Sequence, residues 1–299
     1  MKTEKPNKAV VLVGGEGTRL RPLTYTTTKA MVPVLNMPFI QYVIHYLSNH
    51  NVTEIILAIG YKPDSIKNHF EKAGNIIARL IYSIEETPLG TAGAVKNATQ
   101  HIGENETLFI LNGDIFTDLN LTDMFSFHRD KKAGVTIALT PVDDPTQFGV
   151  VELDHQQQVT RFIEKPRLDE VASNLINAGV YILDSKILNR IPHGKRFMFE
   201  HDVFPQLIAE GAPVYGYPTN AYWIDMGTPE KYLRLNHDLL LGKCQLENQL
   251  TEKITKKSHH QAEITGPVII DECCTIGKGV QVKGPSVIGA KCSIGDYAV

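Results

Sequence analysis

Short β-branched runs alternate with helix-spaced apolar positions from the start of the chain. Lys8–Val13 reads as a strand and a glycine loop follows it; apolar positions then recur at helical spacing from about Pro38 to Asn49, before the β-branched run Glu54–Ile59. Strand, helix, strand in that order is the βαβ unit of an α/β protein. The rhythm continues with a helix near Asp64–Lys72, a strand at Ala78–Ile84, a helix at Thr91–His101 and the apolar strand Thr107–Leu111, which runs into Asn112-Gly113-Asp114. A mostly parallel, doubly wound sheet is the expectation. After Ala133 helices become sparse. Val135–Thr140, Gly149–Leu153, Val159–Ile163 and Ile176–Ile182 follow one another with turns between them, which predicts strands and hairpins added to that sheet. Helices resume at Phe199–Glu210 and Pro229–Leu241, the second opened by Thr228 as N-cap and Pro229 in its first turn.

Beyond that helix the pattern changes twice. Gln245 to Gln261 is polar and charged, with Lys256-Lys257 and His259-His260, and reads as a connector; a histidine pair without a third ligand nearby is more often solvated linker than metal site. Then Ile264, Ile270, Ile276, Val282, Ile288 and Ile294 fall at a constant spacing of six, and Gly277, Gly289 and Gly295 follow three of them. A β-helix uses such a period, because each short strand points one aliphatic residue inward and stacked coils share the core. A hairpin subdomain would alternate at two instead. The chain therefore divides into residues 1–242, a linker over 243–262 and a repeat region over 263–299. The repeat reaches Val299 without a polar cap, so a longer chain or another subunit is expected to cover that end.

Composition narrows the class without identifying a partner. In 299 residues, 42% are hydrophobic and 21% charged, and the net charge of -3 provides no basic field for nucleic acid. Residues Met1 to Lys8 are polar and the run Ala9–Val13 is too short for a signal-peptide core or a membrane span, so a cytoplasmic protein without membrane contact is expected. Cys244, Cys273, Cys274 and Cys292 lack CxxC spacing and read as buried free thiols.

The chemistry begins directly after the first strand, at Gly14-Gly15-Glu16-Gly17-Thr18-Arg19-Leu20. In an open α/β sheet this is the ligand edge. Glycines let consecutive N–H groups approach phosphate closely, and Arg19 adds a charge-assisted contact. The run contains no GxxxxGK[ST], and Leu20 stands where a dinucleotide-binding turn wants a third glycine. Lys29 can return a second cation to this edge, although alone it would pass for a surface lysine.

Together, GGEGTRLRPLT and TKAMVPVLNMPFI resemble the sugar-phosphate nucleotidyltransferase signature GxGTRLxPLT…K…P, with Ala30 where many relatives carry proline. The resemblance implies a Rossmann-like, doubly wound mixed α/β sheet followed by a short left-handed β-helix of hexapeptide repeats, roughly 18 residues per coil. It also implies a reaction in which an NTP and a hexose 1-phosphate give an NDP-sugar and pyrophosphate. Leu12, Gly14, Gly15, Gly17 and Thr18 would then contact the nucleotide, and Arg19 and Lys29 its triphosphate.

Glu85 to Gly93 resembles the PLGTA segment of that family, which would bring Pro88, Gly90 and Thr91 to the base. Users of uridine or thymidine triphosphates usually carry glutamine at the position of Glu85. A carboxylate only accepts, and guanine offers two neighbouring donors, so Glu85 points to GTP; taken alone it is equally a surface charge. Asp114 and Asp225 match family aspartates that hold Mg²⁺ against the α-phosphate, and two carboxylates suit a hard octahedral ion that keeps several waters. A lone aspartate at a strand end is otherwise a turn residue.

Phe148-Gly149-Val150-Val151, Phe162-Ile163-Glu164-Lys165-Pro166 and Asn177-Ala178-Gly179 resemble the acceptor half of the family's site. Lys165 would pair with the sugar phosphate, and Gly149, Glu164 and Asn177 would meet the sugar. Within the family the set is closest to the mannose-1-phosphate guanylyltransferase group. Arg19, Lys29, Asp114, Lys165 and Asp225 are the expected catalytic residues, acting by positioning and charge stabilisation without a protein nucleophile. Expected partners are an NTP, above all GTP, a hexose 1-phosphate, Mg²⁺, and further copies of the chain in a homo-oligomer. Competing readings are a thymidylyl- or uridylyltransferase acting on glucose 1-phosphate, and a non-catalytic sensor of NDP-sugars that could dispense with the metal carboxylates. Acyl transfer by the repeat lacks the histidine it would need.

Overall fold

Strand β1 (Lys8–Val13) is apolar on both faces because helices cover the sheet from both sides. A computed structural model describes residues 6–72, 78–244 and 262–299; the connector reading of residues 245–261, with His259 and His260, lies outside them. After β1 a glycine loop and a small hairpin, β2 (Pro33–Val34) with β3 (Met37–Pro38), lead into α1 (Phe39–Asn49). Then come β4 (Glu54–Ile59), α2 (Pro63–Lys72), β5 (Arg79–Ile84), α3 (Gly90–Asn97) with a 3-10 turn to His101, and β6 (Thr107–Asn112). Strands β6, β1, β4 and β5 lie side by side and parallel, with Val10 opposite both Ile110 and Ile56. The chain moves outward from β1 on one side and returns to its other side at β6, so a topological switch point falls between β1 and β6, where such sheets bind ligands.

The second half of the sheet is antiparallel. Short strand β7 (Ile115–Thr117) leaves the main sheet, and α4 (Leu121–Asp130) precedes β8 (Val135–Pro141), β9 (Gly149–Leu153), β10 (Val159–Glu164) and the long β11 (Leu175–Asp184). Strand β11 runs antiparallel to β6, β8 and β9. A π-helical turn, Phe199–Val203, opens α5 (Phe204–Ala209); β12 (Val214–Pro218) then pairs in parallel with β8, and β13 (Trp223–Asp225) lies antiparallel to β7 before α6 (Pro229–Leu240). The result, among the described residues, is a nine-stranded mixed sheet, as expected. Helix α4 is not among the elements expected from the sequence. Its Asn120 cap accepts from the N–H groups of Thr122 and Asp123, and Leu121, Met124, Phe125 and His128 form its buried face.

The six-residue period does build a β-helix. Strands β14 (Ala262–Thr265), β15 (Val268–Ile270) and β16 (Thr275–Ile276) pair in parallel with β17 (Val280–Lys283), β18 (Ser286–Ile288) and β19 (Ser293–Ile294). Ile264 faces Val282, Ile270 faces Ile288 and Ile276 faces Ile294, a uniform offset of 18 residues per coil. All six positions join one small core with Val268 and Val280. The cysteine expectation needs correction. All four thiols are free, but only Cys244 is buried; Cys273 and Cys292 lie exposed at coil corners and Cys274 is half-buried. Among the described residues no helix is long and apolar enough to cross a membrane.

The coils dock on the sheet domain beside the β2–β3 hairpin. Asn36 Nδ2 donates to the Ile288 carbonyl at 3.0 Å, and the Leu35 N–H donates to Asn236 Oδ1 of α6 at 3.0 Å. Ile269 of the β-helix, 4% exposed, belongs to the core beneath α1 and α6. Replacing it by alanine is expected to lower the unfolding free energy by about 2–4 kcal/mol through the cavity it leaves. Urea denaturation checks this, and an unchanged midpoint would show that the coils do not share that core.

Candidate active site

At the C-terminal ends of β1 and β6 a cleft of about 360 Å³ brings together Leu12, Gly14, Gly15, Lys29, Glu85, Pro88, Gly90, Thr91 and Asp114. Its floor is the glycine loop. Gly17 adopts φ 67°, and a Cβ there would stand 2.9 Å from Lys29 Cβ, so the loop folds over the Lys29 stem only because this residue is glycine. Thr24 Oγ1 fixes the turn by donating to the Gly17 carbonyl at 2.7 Å. Thr18 then opens a 3-10 turn that buries Leu20 and leaves Thr18 and Arg19 exposed.

Two lysine–carboxylate pairs line up at the strand ends. Lys29 Nζ lies 2.6 Å from Asp114 Oδ2, while Lys231 of α6 pairs with Asp225 Oδ1 and sits over the Phe148 ring, 5.2 Å from its centre. Pairing of β7 with β13 sets the two carboxylates on neighbouring backbones, since Asp225 lies opposite Ile115 and the Met226 N–H donates to the Asp114 carbonyl at 2.9 Å. A Cβ built on Gly227 would be 2.8 Å from Asp225 Oδ2 and 3.5 Å from Arg19 Nη2, so Arg19 reaches the same corner. No group of three or more histidine, cysteine or acidic side chains suited to a metal exists among the described residues. Two carboxylates nevertheless fit a hard cation that completes its shell with water and substrate phosphate.

Glu85 forms the far wall and is 9% exposed. Its Oε2 accepts from the Leu89 N–H at 2.9 Å, while Oε1 faces Gly14, 3.7 Å from where a Cβ would stand. Burial raises the Glu85 pKa, and the Leu89 bond opposes that shift. Gly90 follows with φ 72°; a Cβ there would lie 2.7 Å from the Phe197 carbonyl, which accepts from the first N–H groups of α3, Ala92 and Gly93, at 3.0 Å each. That clamp carries Arg196 and Met198 to the cleft, two lining residues the sequence did not point to.

The residues expected on the sugar-phosphate side form an adjoining group. Lys165 is exposed and held at φ 50°, its N–H donating to the Phe148 carbonyl at 3.0 Å; this left-handed conformation costs a non-glycine residue about 1–2 kcal/mol. A Cβ on Gly149 would stand 2.8 Å from Glu164 Oε2, so the glycine opens space for that carboxylate. Burial raises the Glu164 pKa, and so does the negative charge of Glu200. Asn177 donates from Nδ2 to the Tyr181 hydroxyl at 2.8 Å and accepts at Oδ1 from the Gly179 N–H at 2.9 Å, which leaves one N–H and one lone pair of its amide.

Glu200, also missed in the sequence, joins the two halves. On its π-helical turn it is 8% exposed and accepts from Thr91 Oγ1 at 2.7 Å and from the Tyr181 hydroxyl at 3.4 Å, while Thr91 Oγ1 accepts from the Phe199 N–H at 2.9 Å. π-Turns inside helices are frequent at functional sites.

A glycine loop beside paired cations and carboxylates, at the switch point of a mixed sheet, is the arrangement of a nucleotide-handling α/β protein. The chain belongs to the nucleotidyl transferase family, whose model it matches over residues 8–241. It is 34% identical over 278 residues to the mannose-1-phosphate guanylyltransferase of Mycobacterium tuberculosis, an overlap covering 93% of this chain and 76% of the relative. To the probable mannose-1-phosphate guanylyltransferase 2 of Arabidopsis thaliana it is 36% identical, over 94% of this chain and 76% of that one. Among solved structures, HddC from Yersinia pseudotuberculosis complexed with GMP-PN superimposes with a TM-score of 0.67 at 33% identity, covering 78% of this chain and 99% of HddC. UTP-bound UGPase from Acinetobacter baumannii, at 24% identity and a TM-score of 0.70 over 82% of this chain and 97% of the other, shares the fold. At the level common to the family, the chain is a nucleotidyltransferase acting on a sugar 1-phosphate, a reaction class that works with a divalent cation.

Thr91→Val removes a donor from the buried Glu200 carboxylate and an acceptor from the Phe199 N–H. A loss of about 1–3 kcal/mol is expected. Equal unfolding midpoints for variant and parent in guanidinium would show that the network carries no stability.

Proposed function

We propose that the protein transfers GMP from GTP to mannose 1-phosphate, giving GDP-mannose and pyrophosphate, with Mg²⁺ as its cation. The observation that carries this reading is Glu85: a carboxylate in the cleft wall with one oxygen fixed by Leu89 and the other turned toward the glycine loop. An acceptor-only group there complements the adjacent N1 and N2 donors of guanine, and it meets one donor between acceptors in uracil or thymine. Support also comes from relatives named as mannose-1-phosphate guanylyltransferases and from HddC, whose complex holds GMP-PN. The uridylyl protein below 25% identity shares only the fold.

In this reading Arg19 and Lys29 hold the triphosphate and Lys165 guides the phosphate of the acceptor. A sugar-phosphate oxygen attacks the α-phosphorus in line, the bond to the β-phosphate oxygen breaks, and pyrophosphate leaves with the charge that Arg19 and Lys29 stabilise. Asp114 and Asp225 would hold the Mg²⁺, which supplies positive charge beside the α-phosphate. Lys29 and Lys231 now neutralise these two carboxylates, so substrate binding exchanges lysine–carboxylate pairs for lysine–phosphate and carboxylate–metal ones. Gly149, Glu164 and the free amide groups of Asn177 take the hexose.

Pyrophosphate release with four NTPs and several hexose 1-phosphates tests the assignment. GTP with mannose 1-phosphate should lead, and Glu85→Gln should erode the preference for GTP by about 10- to 100-fold. Because burial raises the Glu85 pKa and guanine needs the ionised carboxylate, KM for GTP should rise as pH falls through that pKa, and stay flat in Glu85→Gln. A faster reaction with UTP or dTTP would transfer the assignment to those nucleotides. Arg19 is exposed, so Arg19→Ala should leave the thermal midpoint in place while lowering kcat by about 10²–10³-fold. Intact turnover would remove Arg19 from the machinery.

A further inference from the structure

Two buried side-chain polar atoms among the described residues have no hydrogen-bond partner, Thr28 Oγ1 and Asn112 Oδ1, and both residues line the cleft. Buried polar side chains are paired in the large majority, because an orphan forfeits its hydration without replacement. Two exceptions on residues of one cleft call for partners that the protein itself does not supply. Thr28 is 2% exposed and caps the 3-10 turn of Lys29 through its carbonyl, which accepts from the Met31 N–H at 3.0 Å, while its hydroxyl makes no capping bond; it lines the cleft together with Lys29. Asn112 ends β6 opposite Leu12, on the face it shares with Ile110. A Cβ on Gly179 would lie 2.7 Å from Asn112 Nδ2, so the backbone of β11 boxes the amide in. Reversing the amide would orphan its donor at the same spot, and an unmatched polar end would still remain.

The surroundings state what each atom would bind. A hydroxyl next to Lys29 and the glycine loop has phosphate oxygens as its natural acceptors. An amide oxygen between the base side, at Leu12 and Thr91, and the sugar side, at Asn177 and Gly179, calls for a neutral hydroxyl donor. We infer that Thr28 and Asn112 are further substrate-binding residues, Thr28 donating to the nucleotide's polyphosphate and Asn112 accepting from a sugar hydroxyl at the seam between the two substrates. That hydroxyl belongs to the ribose of the nucleotide or to the hexose. The inference rests on nucleotidyl transfer to a sugar 1-phosphate and is independent of which base or hexose is used.

The test takes whichever substrate pair the parent protein turns over fastest. Thr28→Val and Asn112→Leu keep size and remove the orphan, so the unliganded variants should melt no lower than the parent. KM for the NTP should rise about 10- to 100-fold in Thr28→Val. With the parent, one of the 2′-deoxy NTP, the 3′-deoxy NTP or a monodeoxy hexose 1-phosphate should lose a comparable factor, and Asn112→Leu should show no further loss with that substrate; its identity names the hydroxyl. Variants that melt lower with unchanged KM would assign the orphans to structural water. A parent indifferent to every deoxy substrate, or a penalty that persists in Asn112→Leu, overturns the role of Asn112. Should no pair turn over, the catalytic reading fails by itself, and calorimetry of NTP and deoxy-NTP binding to parent and variants decides the two residues; a protein that binds no NTP overturns both.

Discussion

Between Leu12 and Gly113 the backbones of β1 and β6 approach so closely that a Cβ on Gly113 would stand 2.7 Å from the Leu12 carbonyl, which accepts from the Gly113 N–H at 2.9 Å. On the other flank of β1 the same holds more loosely, since a Cβ on Gly60, just past β4, would stand 3.3 Å from the Gly14 backbone. Three strand ends thereby share one edge. This close approach is what turns a parallel sheet into a cleft: it brings the glycine loop, Asn112 and Asp114 within reach of one small ligand. A side chain at Gly113 would push β6 outward and carry Asp114 away from Lys29.

Electrostatics at that edge follow from the need to avoid unpaired charge. Asp225 is mostly covered, and an uncompensated carboxylate there would be costly, so Lys231 neutralises it; Lys29, also mostly covered, is matched by Asp114. The cleft thus stores both signs in paired form. In the proposed reaction a polyphosphate with a cation would bring the complementary pair of charges, and the exchange would leave each protein group with an opposite partner. Orientation is thereby prepared without leaving buried charge exposed to no counterpart.

Local signals made the elements readable and tertiary ones stayed hidden. The alternation of β-branched runs with helix-spaced positions located β1, β4 and β6, and the six-residue spacing located coils whose 18-residue offset the strand registers repeat. Helix α4 had a readable cap in Asn120 and apolar positions at 121, 124 and 125, a pattern that passes for a loop beside its many polar residues. Glu200 looks like an ordinary surface charge because the partners that bury it, Thr91 and Tyr181, lie far away in the chain. Thr28 and Asn112 are distinguished by bonds they lack, a property of the folded packing that residue type does not reveal. The thiols were misjudged for a related reason: cysteine is commonly buried, but coil corners of a thin β-helix face solvent.

A break in β11 lies between the two groups of residues proposed to hold the nucleotide and the sugar. Against β8, the register passes from Asn177 opposite Leu139 to Tyr181 opposite Ile137, so four steps along β11 span two along its neighbour. Such bulges re-aim side chains and interrupt the ladder. Gly179 takes φ 71° inside the bulge, making the room that Asn112 occupies, and the Ala178 carbonyl accepts from Trp223 Nε1 at 2.9 Å. Trp223 therefore braces the bulge and, through β13, also fixes the strand that ends in Asp225. One irregularity thus shapes the surroundings of Asn177 and Asn112 and is tied through Trp223 to the strand that carries Asp225, so in the proposed reaction the placement of both substrates would depend on a single local deformation of the sheet.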